Sequence, residues 1–176
     1  MEHQINEPAP LFGAIEQISP FYTSSTDVAL IQGDSLEILP TIPDGEVQLI
    51  ITSPPYNIGK AYEKATALDE YLLVLEPIIE QLVRVLSPRG SLCWQVGNYV
   101  ENAEIFPLDI YYYPMFKKHG LKLRNRIIWH FEHGLHASKR LSGRYETMLW
   151  FTKSDTYTFN LDAIRVPSKY PGKRHF

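Results

Sequence analysis

Apolar positions fall in blocks whose spacing changes along the chain. Val28-Ala29-Leu30-Ile31 is a short apolar run closed by Gly33-Asp34, which predicts a strand and a turn. Ser35 can cap a short helix carrying Leu36, Ile38 and Leu39, which Pro40 should stop. Asp44-Gly45 marks a turn. Val47 to Ile51 is a β-branched apolar run that predicts a buried strand, ending in Thr52-Ser53-Pro54-Pro55-Tyr56-Asn57. From Leu68 to Leu86 the period becomes helical: Tyr71, Leu72, Leu75, Ile78, Ile79, Leu82 and Val83 share one broad face. Pro77 inside it should kink or split the helix. Ser87-Pro88-Arg89-Gly90 closes this block, and Ser91 to Val96 reads as the next strand. A second helical stretch over 105–118 closes at Gly120, and two further strands are expected at Arg124–Phe131 and Tyr145–Thr152, around a polar, basic loop at 132–144. Strands alternating with helices predict an α/β fold with a parallel or mixed sheet. Residues 1–26 are polar and proline-bearing without a period and read as an N-terminal arm before a domain over 27–176.

Composition narrows the class. With 176 residues, 44% hydrophobic and 21% charged, the chain is ordinary globular and neither disordered, collagen-like nor coiled-coil. No run approaches the roughly 20 consecutive apolar residues of a membrane span, and MEHQINEPAP has no signal-peptide pattern. A lone cysteine, Cys93, fits a reducing compartment, so a cytoplasmic location is expected. The net charge of −3 conceals a polarity: residues 1–80 carry −11 and residues 81–176 carry +8. Within 117–176 there are 13 basic residues against 4 acidic ones, a composition that can neutralise phosphates. The same charge also fits a solvated surface.

The segment Thr52 to Asn57 carries the chemistry. Adjacent prolines lock φ and remove two N–H donors, so nearby carbonyls point out without local partners. After a buried strand they lie at the carboxyl edge of a sheet, where α/β folds bind ligands. The loop thus presents a serine hydroxyl, a fixed proline carbonyl and an aromatic ring together. That set suits a planar substrate bearing an amino group, with the ring on Tyr56 and the amine hydrogens on Ser53 and the Pro54 carbonyl. An exocyclic amine is a poor nucleophile because its lone pair is delocalised into the ring. Acceptors that draw its hydrogens out of the ring plane return that pair to nitrogen, which is catalysis by positioning and electrostatics without a covalent intermediate.

These residues resemble the catalytic motif of the S-adenosylmethionine-dependent DNA amino-methyltransferases, which methylate cytosine N4 or adenine N6, usually within restriction–modification systems. Gly33-Asp34-Ser35-Leu36 upstream is similar to the family's GD-x-L segment. Arg84-Val85-Leu86 with Pro88, Arg89, Gly90 and Ser91 resembles its helix-to-strand junction. Ile128-Trp129, then Arg144-Tyr145-Glu146 with Leu149 to Lys153, resemble its last two strands. The resemblance spans about residues 28–170 and implies a Rossmann-like sheet flanked by helices, with an antiparallel terminal strand pair. It implies that Ser53, Pro54, Pro55 and Tyr56 hold a base flipped out of double-stranded DNA. It implies Asp34, Thr52 and Ser53 as contacts of the methyl donor S-adenosylmethionine, and Asn57, Lys139, Arg140 and Arg144 as DNA contacts, with Asn57 also shaping the loop. Ser at the first motif position, preceded by Thr, puts cytosine N4 ahead of adenine N6.

The pattern breaks at the donor site. The family places a glycine-rich F-x-G-x-G turn after another strand, and no two of the ten glycines here are separated by one residue. In the circularly permuted subgroup that begins with the catalytic motif, this turn lies near the C-terminus, beyond a target-recognition region. The resemblance therefore implies the N-terminal catalytic portion of a permuted enzyme, completed by further sequence, by a second polypeptide or through a homodimer. The absent strands belong between the Asp34 strand and the Ser53 strand, so unpaired strand edges are expected.

Competing readings are bland. His130, His133 and His136 lack the H-E-x-x-H pattern and cysteine support, so no metal site is expected. Cys93, in an apolar strand, is expected in the core rather than as a nucleophile. Tyr111-Tyr112-Tyr113 on a helix should divide between core and surface, and the bland alternative for Asp34 is a helix cap or Asx turn. Alternatives to the methyltransferase region are a non-catalytic DNA-binding remnant or subunit, and a methyltransferase acting on RNA or on a protein amide.

Overall fold

The computed structural model describes residues 31–59, 65–133, 136–169 and 172. The arm expected at 1–26 and the Val28–Leu30 part of the first expected strand lie outside the described residues. Helix α1 (Ser35–Ile38) passes into a 3-10 turn at Leu39–Thr41. There follow β1 (Val47–Thr52), α2 (Leu68–Val85), β2 (Leu86–Val96), β3 (Asn98–Glu101), β4 (Glu104–Pro107) and α3 (Leu108–Lys118). The described chain ends through β5 (Lys122–His130), β6 (Tyr145–Thr152) and a short α4 (Leu161–Ile164). The main sheet has the order β1-β2-β6-β5, and β3 pairs with β4 in a separate hairpin. β1 and β2 are parallel, whereas β6 is antiparallel to both β2 and β5. This is the expected mixed α/β sheet with an antiparallel terminal pair.

Both helices lie on one face of the sheet. Tyr71, Leu75, Ile79 and Leu82 of α2 and Leu108, Tyr112 and Phe116 of α3 form the core with Leu92, Trp94, Val96, Leu149 and Phe151. Trp94 meets Tyr112 and Phe116 edge-on at 5.1 and 5.2 Å between ring centroids, and Phe116 meets Phe151 at 4.7 Å. Pairs of this kind add about 0.5–1.5 kcal/mol each beyond the area they bury. Trp94 Nε1 is buried without a hydrogen-bond partner among the described residues. The other face is largely open: Leu49 is 56% exposed and Ile51 64%. Among the described residues β1 has no neighbour on its outer edge.

Four expectations are corrected here. Pro77 does not split α2, which runs unbroken from Leu68 to Val85, and Pro114 sits likewise inside α3. Each proline deprives the carbonyl four residues earlier of its donor, and those residues, Leu73 and Ile110, are 71% and 60% exposed. The carbonyls that lose a donor thus belong to residues on the solvent-facing side of each helix, where an unmade backbone bond costs least. The cap of α1 is Asp34, whose Oδ1 accepts from Leu36 N at 2.8 Å, and Ser35 is the first helical residue. Ser87 to Gly90 is not a turn after the helix. α2 passes directly into β2, and the register shift between Val47↔Leu86 and Leu49↔Ser91 leaves these residues as a bulge that tolerates Pro88. A Cβ on Gly90 would lie 3.0 Å from the carbonyl oxygens of Val47 and Gln48, so this close approach of strands requires glycine. Finally, Cys93 is half-buried on the open face and not in the core; partial burial raises its thiol pKa. The tyrosine triplet divides as expected, with Tyr112 fully buried and Tyr113 42% exposed.

Candidate active site

Topology gathers the site. Parallel β1 and β2 end at the same edge of the sheet, where antiparallel β6 begins and β5 ends. Thr52 to Asn57, Gln95 to Gly97, Tyr145-Glu146 and Trp129-His130 therefore share one rim with the loop from Phe131 to Arg144. Residues up to 90 positions apart meet through register alone.

The loop after β1 is fixed from three sides. Ser53 Oγ lies 2.8 Å from the Tyr56 hydroxyl, which donates to Glu146 Oε2 at 3.1 Å. Gln95 Nε2 donates to the same oxygen at 2.7 Å. The Tyr56 ring packs on Gly97, where a Cβ would stand 3.1 Å from Cε2, closer than such contacts ordinarily allow. The Tyr71 hydroxyl donates to the Pro55 carbonyl and lies 2.5 Å from the Tyr112 hydroxyl in the core. Of the two proline carbonyls, Pro55's is thus used internally, and among the described residues no donor is bonded to that of Pro54. Ser53 is exposed and Pro54 buried. Burial chiefly holds the Tyr56 hydroxyl above its ordinary pKa, the negative charge of Glu146 adding to it, so this group keeps its proton at neutral pH.

Asn57 closes the loop. It takes φ +60° and is 2% exposed; its Nδ2 donates to Thr66 O at 2.7 Å and its Oδ1 accepts from Thr66 N at 2.8 Å. The amide is thus engaged inside the loop, in keeping with the loop-shaping role expected of it. Lys139 and Arg140 are exposed on the basic loop, as that reading requires. Arg144 donates from Nη1 to Glu132 O at 2.6 Å, and Phe131 N donates to Arg144 O at 3.0 Å. Much of the remaining positive charge is paired internally, as in Arg126 with Asp109 at 2.5 Å and Arg124 with Asp155 at 2.8 Å.

Ser53 and Tyr56 are thus in direct contact and Thr52 adjoins them at the strand end. Asp34 makes its observed bonds locally, as the cap of α1 and as acceptor for Glu37 N and Ile38 N. The cap occupies one carboxylate oxygen of an exposed side chain. Sequence reasoning assigned no role to Gln95, Gly97, Tyr71 or Glu146. The available signal was a glutamine in the otherwise apolar Ser91–Val96 run and a glutamate near the start of Tyr145–Thr152.

A DNA methylase family model, N6_N4_Mtase, matches residues 47–175. The chain belongs to this DNA methylase family. It is 51% identical over 148 residues to the type II methyltransferase M.BglII of Bacillus subtilis, covering 84% of this chain and 41% of that protein. The crystal structure of TTHA0409, a DNA modification methylase from Thermus thermophilus, complexed with S-adenosyl-L-methionine, matches with TM-score 0.59 and 26% identity, over 77% of this chain and 61% of that one. The PvuII cytosine-N4-specific DNA methyltransferase matches with TM-score 0.67 and 20% identity, over 77% of this chain and 52% of that one, which establishes the shared methyltransferase fold. The chain spans about two-fifths of the length of M.BglII. Among the described residues no helix is long and apolar enough to cross a membrane, and no cluster of His, Cys, Asp or Glu could hold a metal ion.

Proposed function

We propose that this chain is the base-binding catalytic part of a DNA methyltransferase that methylates an exocyclic amino group of a flipped base, cytosine N4 ahead of adenine N6. The supporting observation is the Ser53–Tyr56 pair, 2.8 Å apart at the carboxyl edge of the sheet, beside a Pro54 carbonyl to which no donor is bonded among the described residues. Extruding a base from a duplex costs a few kcal/mol. Stacking on an aromatic ring such as Tyr56 is worth about 1–3 kcal/mol and offsets much of it. Ser53 Oγ and the Pro54 carbonyl then accept the two amine hydrogens and hold the nitrogen lone pair outward. S-adenosylmethionine, when bound, supplies an electrophilic methyl group.

The residues present fit part of that donor. The exposed carboxylate of Asp34 can accept from a nucleoside hydroxyl or amine, and the Thr52 and Ser53 hydroxyls lie at the end of β1. The glycine-rich turn expected of the family is absent from the sequence. The reading therefore includes completion by further sequence or by a second copy or polypeptide along the outer edge of β1, which has no neighbour among the described residues. Lys139 and Arg140 supply phosphate contacts at the same rim, which favours a nucleic-acid substrate over a protein amide.

The test is transfer of labelled methyl groups from S-adenosylmethionine to DNA, RNA and protein, by the chain alone and joined to a segment that carries the glycine-rich turn. DNA is the expected acceptor, and Ser53→Ala and Tyr56→Ala should each lower the rate about 10²-fold, the scale for loss of one preorganised polar contact. Unchanged transfer by both variants overturns the assignment. Transfer to RNA or protein alone establishes the alternative substrate, and DNA binding without any transfer establishes the non-catalytic reading.

A further inference from the structure

Hydrogen-bond direction, rather than distance, gives the rim its selectivity. A carboxylate has no hydrogen to give, so at Glu146 Oε2 both neighbours must donate. One donor is Gln95 Nε2 at 2.7 Å and the other is the Tyr56 hydroxyl at 3.1 Å. A tyrosine hydroxyl carries one hydrogen, and here it points at Glu146. The contact between Tyr56 and Ser53, 2.8 Å long, must then run the other way, with Ser53 Oγ–H donating to the tyrosine oxygen. Ser53 in turn has one hydrogen and two lone pairs. With its hydrogen committed inward, the exposed hydroxyl can only accept from a ligand.

We propose that Glu146 is a positioning residue that orients the Ser53 hydroxyl through Tyr56, making the site selective for a base with an amino group over one with a carbonyl in the same place. This rests on the methyltransferase reading and deepens it by assigning the choice between amine and carbonyl. The amine of cytosine or adenine meets a lone pair at Ser53. The carbonyl of uracil or hypoxanthine at that position meets another lone pair and leaves both oxygens without a hydrogen, which is costly in a partly desolvated site. Gln95 holds the carboxylate in place by its second bond, and Gly97 admits the ring that carries the relay. No covalent change is involved; the glutamate acts by dictating where two hydrogens point. The raised pKa of Tyr56 agrees with a hydroxyl that retains the hydrogen it gives to Glu146.

Fluorescence anisotropy with single-stranded oligo(dC) and oligo(dU), and with oligo(dA) and oligo(dI), tests this without a known recognition sequence. The wild-type chain should bind the amino member of at least one pair the more tightly. Glu146→Gln, whose amide can donate to Tyr56, frees the direction of the relay and should reduce that preference about tenfold, by weakened binding of the amino member and strengthened binding of the carbonyl member. Tyr56→Phe removes the link while keeping a ring and should give the same loss. Combining it with Glu146→Gln should lower the preference no further. A purely structural role for Glu146 predicts equal weakening toward both members, which overturns the proposal, as does a preference preserved in either single variant or losses that add in the double. A wild-type chain that binds both members of each pair alike, and transfers no methyl group when completed, overturns the function proposed above and this inference with it. Transfer to DNA with no amine preference overturns this inference alone.

Discussion

Leu92, Trp94 and Val96, facing the helices, are at most 1% exposed, whereas Leu49 and Ile51, one strand away on the opposite face, are 56% and 64% exposed. All five are strongly apolar residues in neighbouring strands. The difference lies in cover: α2 and α3 both pack on one side of the sheet, and on the other Trp150 is met by Tyr157 and Phe159, at 5.6 and 5.3 Å between centroids. A continuous apolar strand such as Val47–Ile51 has the composition of one buried on both faces. Here Ile50 alone of its residues is buried, and among the described residues it has one strand beside it. Apolar composition thus expresses what a strand can bury, and the layers actually packed on it decide what it does bury.

The comparison can be broken most forcefully on the covered side. Trp94→Ala should cost about 3–5 kcal/mol, read as a loss of unfolding free energy in denaturant. Trp94→Phe should cost well under half as much, since it keeps an aromatic ring and removes an indole N–H that is buried without a partner. Equal losses from the two variants would mean that Nε1 contributes a bond.

Alkaline pH gives a smaller and graded effect. Burial pushes the hydroxyl of Tyr112 far above its ordinary pKa and that of Tyr56 upward as well. In the unfolded chain both groups titrate near pH 10. Above that value the unfolded state sheds protons that the folded state keeps, so stability is whole below about pH 10 and declines as pH rises further. Tyr112→Phe should flatten that decline, as measured by thermal melting across the alkaline range, at the cost of its contact with Tyr71.

The least effect is expected on the open face. Ile51→Ser should change stability by no more than about 0.5 kcal/mol, the usual range for a surface substitution. It should also reduce self-association in sedimentation, because a free apolar strand edge is a pairing hazard. A loss above about 2 kcal/mol would show that this face is covered in solution.

How far sequence alone reaches differs from element to element. Tyr145–Thr152 and the start of α2 at Leu68 follow the apolar period to the residue, because turns or polar loops isolate both. The β3–β4 hairpin is missed because its turn is built by Asn102 and Ala103 at φ 49° and 67°, where the usual signal is glycine. The bulge at Ser87–Gly90 is missed because proline beside glycine reads locally as a chain reversal, whereas pairing with β1 decides otherwise. In the site, Ser53 to Asn57 are legible as a compact string. Glu146 and Gln95 are not, since only antiparallel register brings them under Tyr56.

The passage of α2 into β2 without an intervening residue has a mechanical side. The two elements form a single bent run of chain, whose arms both reach the rim. One arm ends near Tyr71, which grips the Pro55 carbonyl; the other ends at Gln95 and Gly97, which hold Glu146 and the Tyr56 ring. The Pro55–Tyr56 stretch is thus held at two points by one unbroken run of chain.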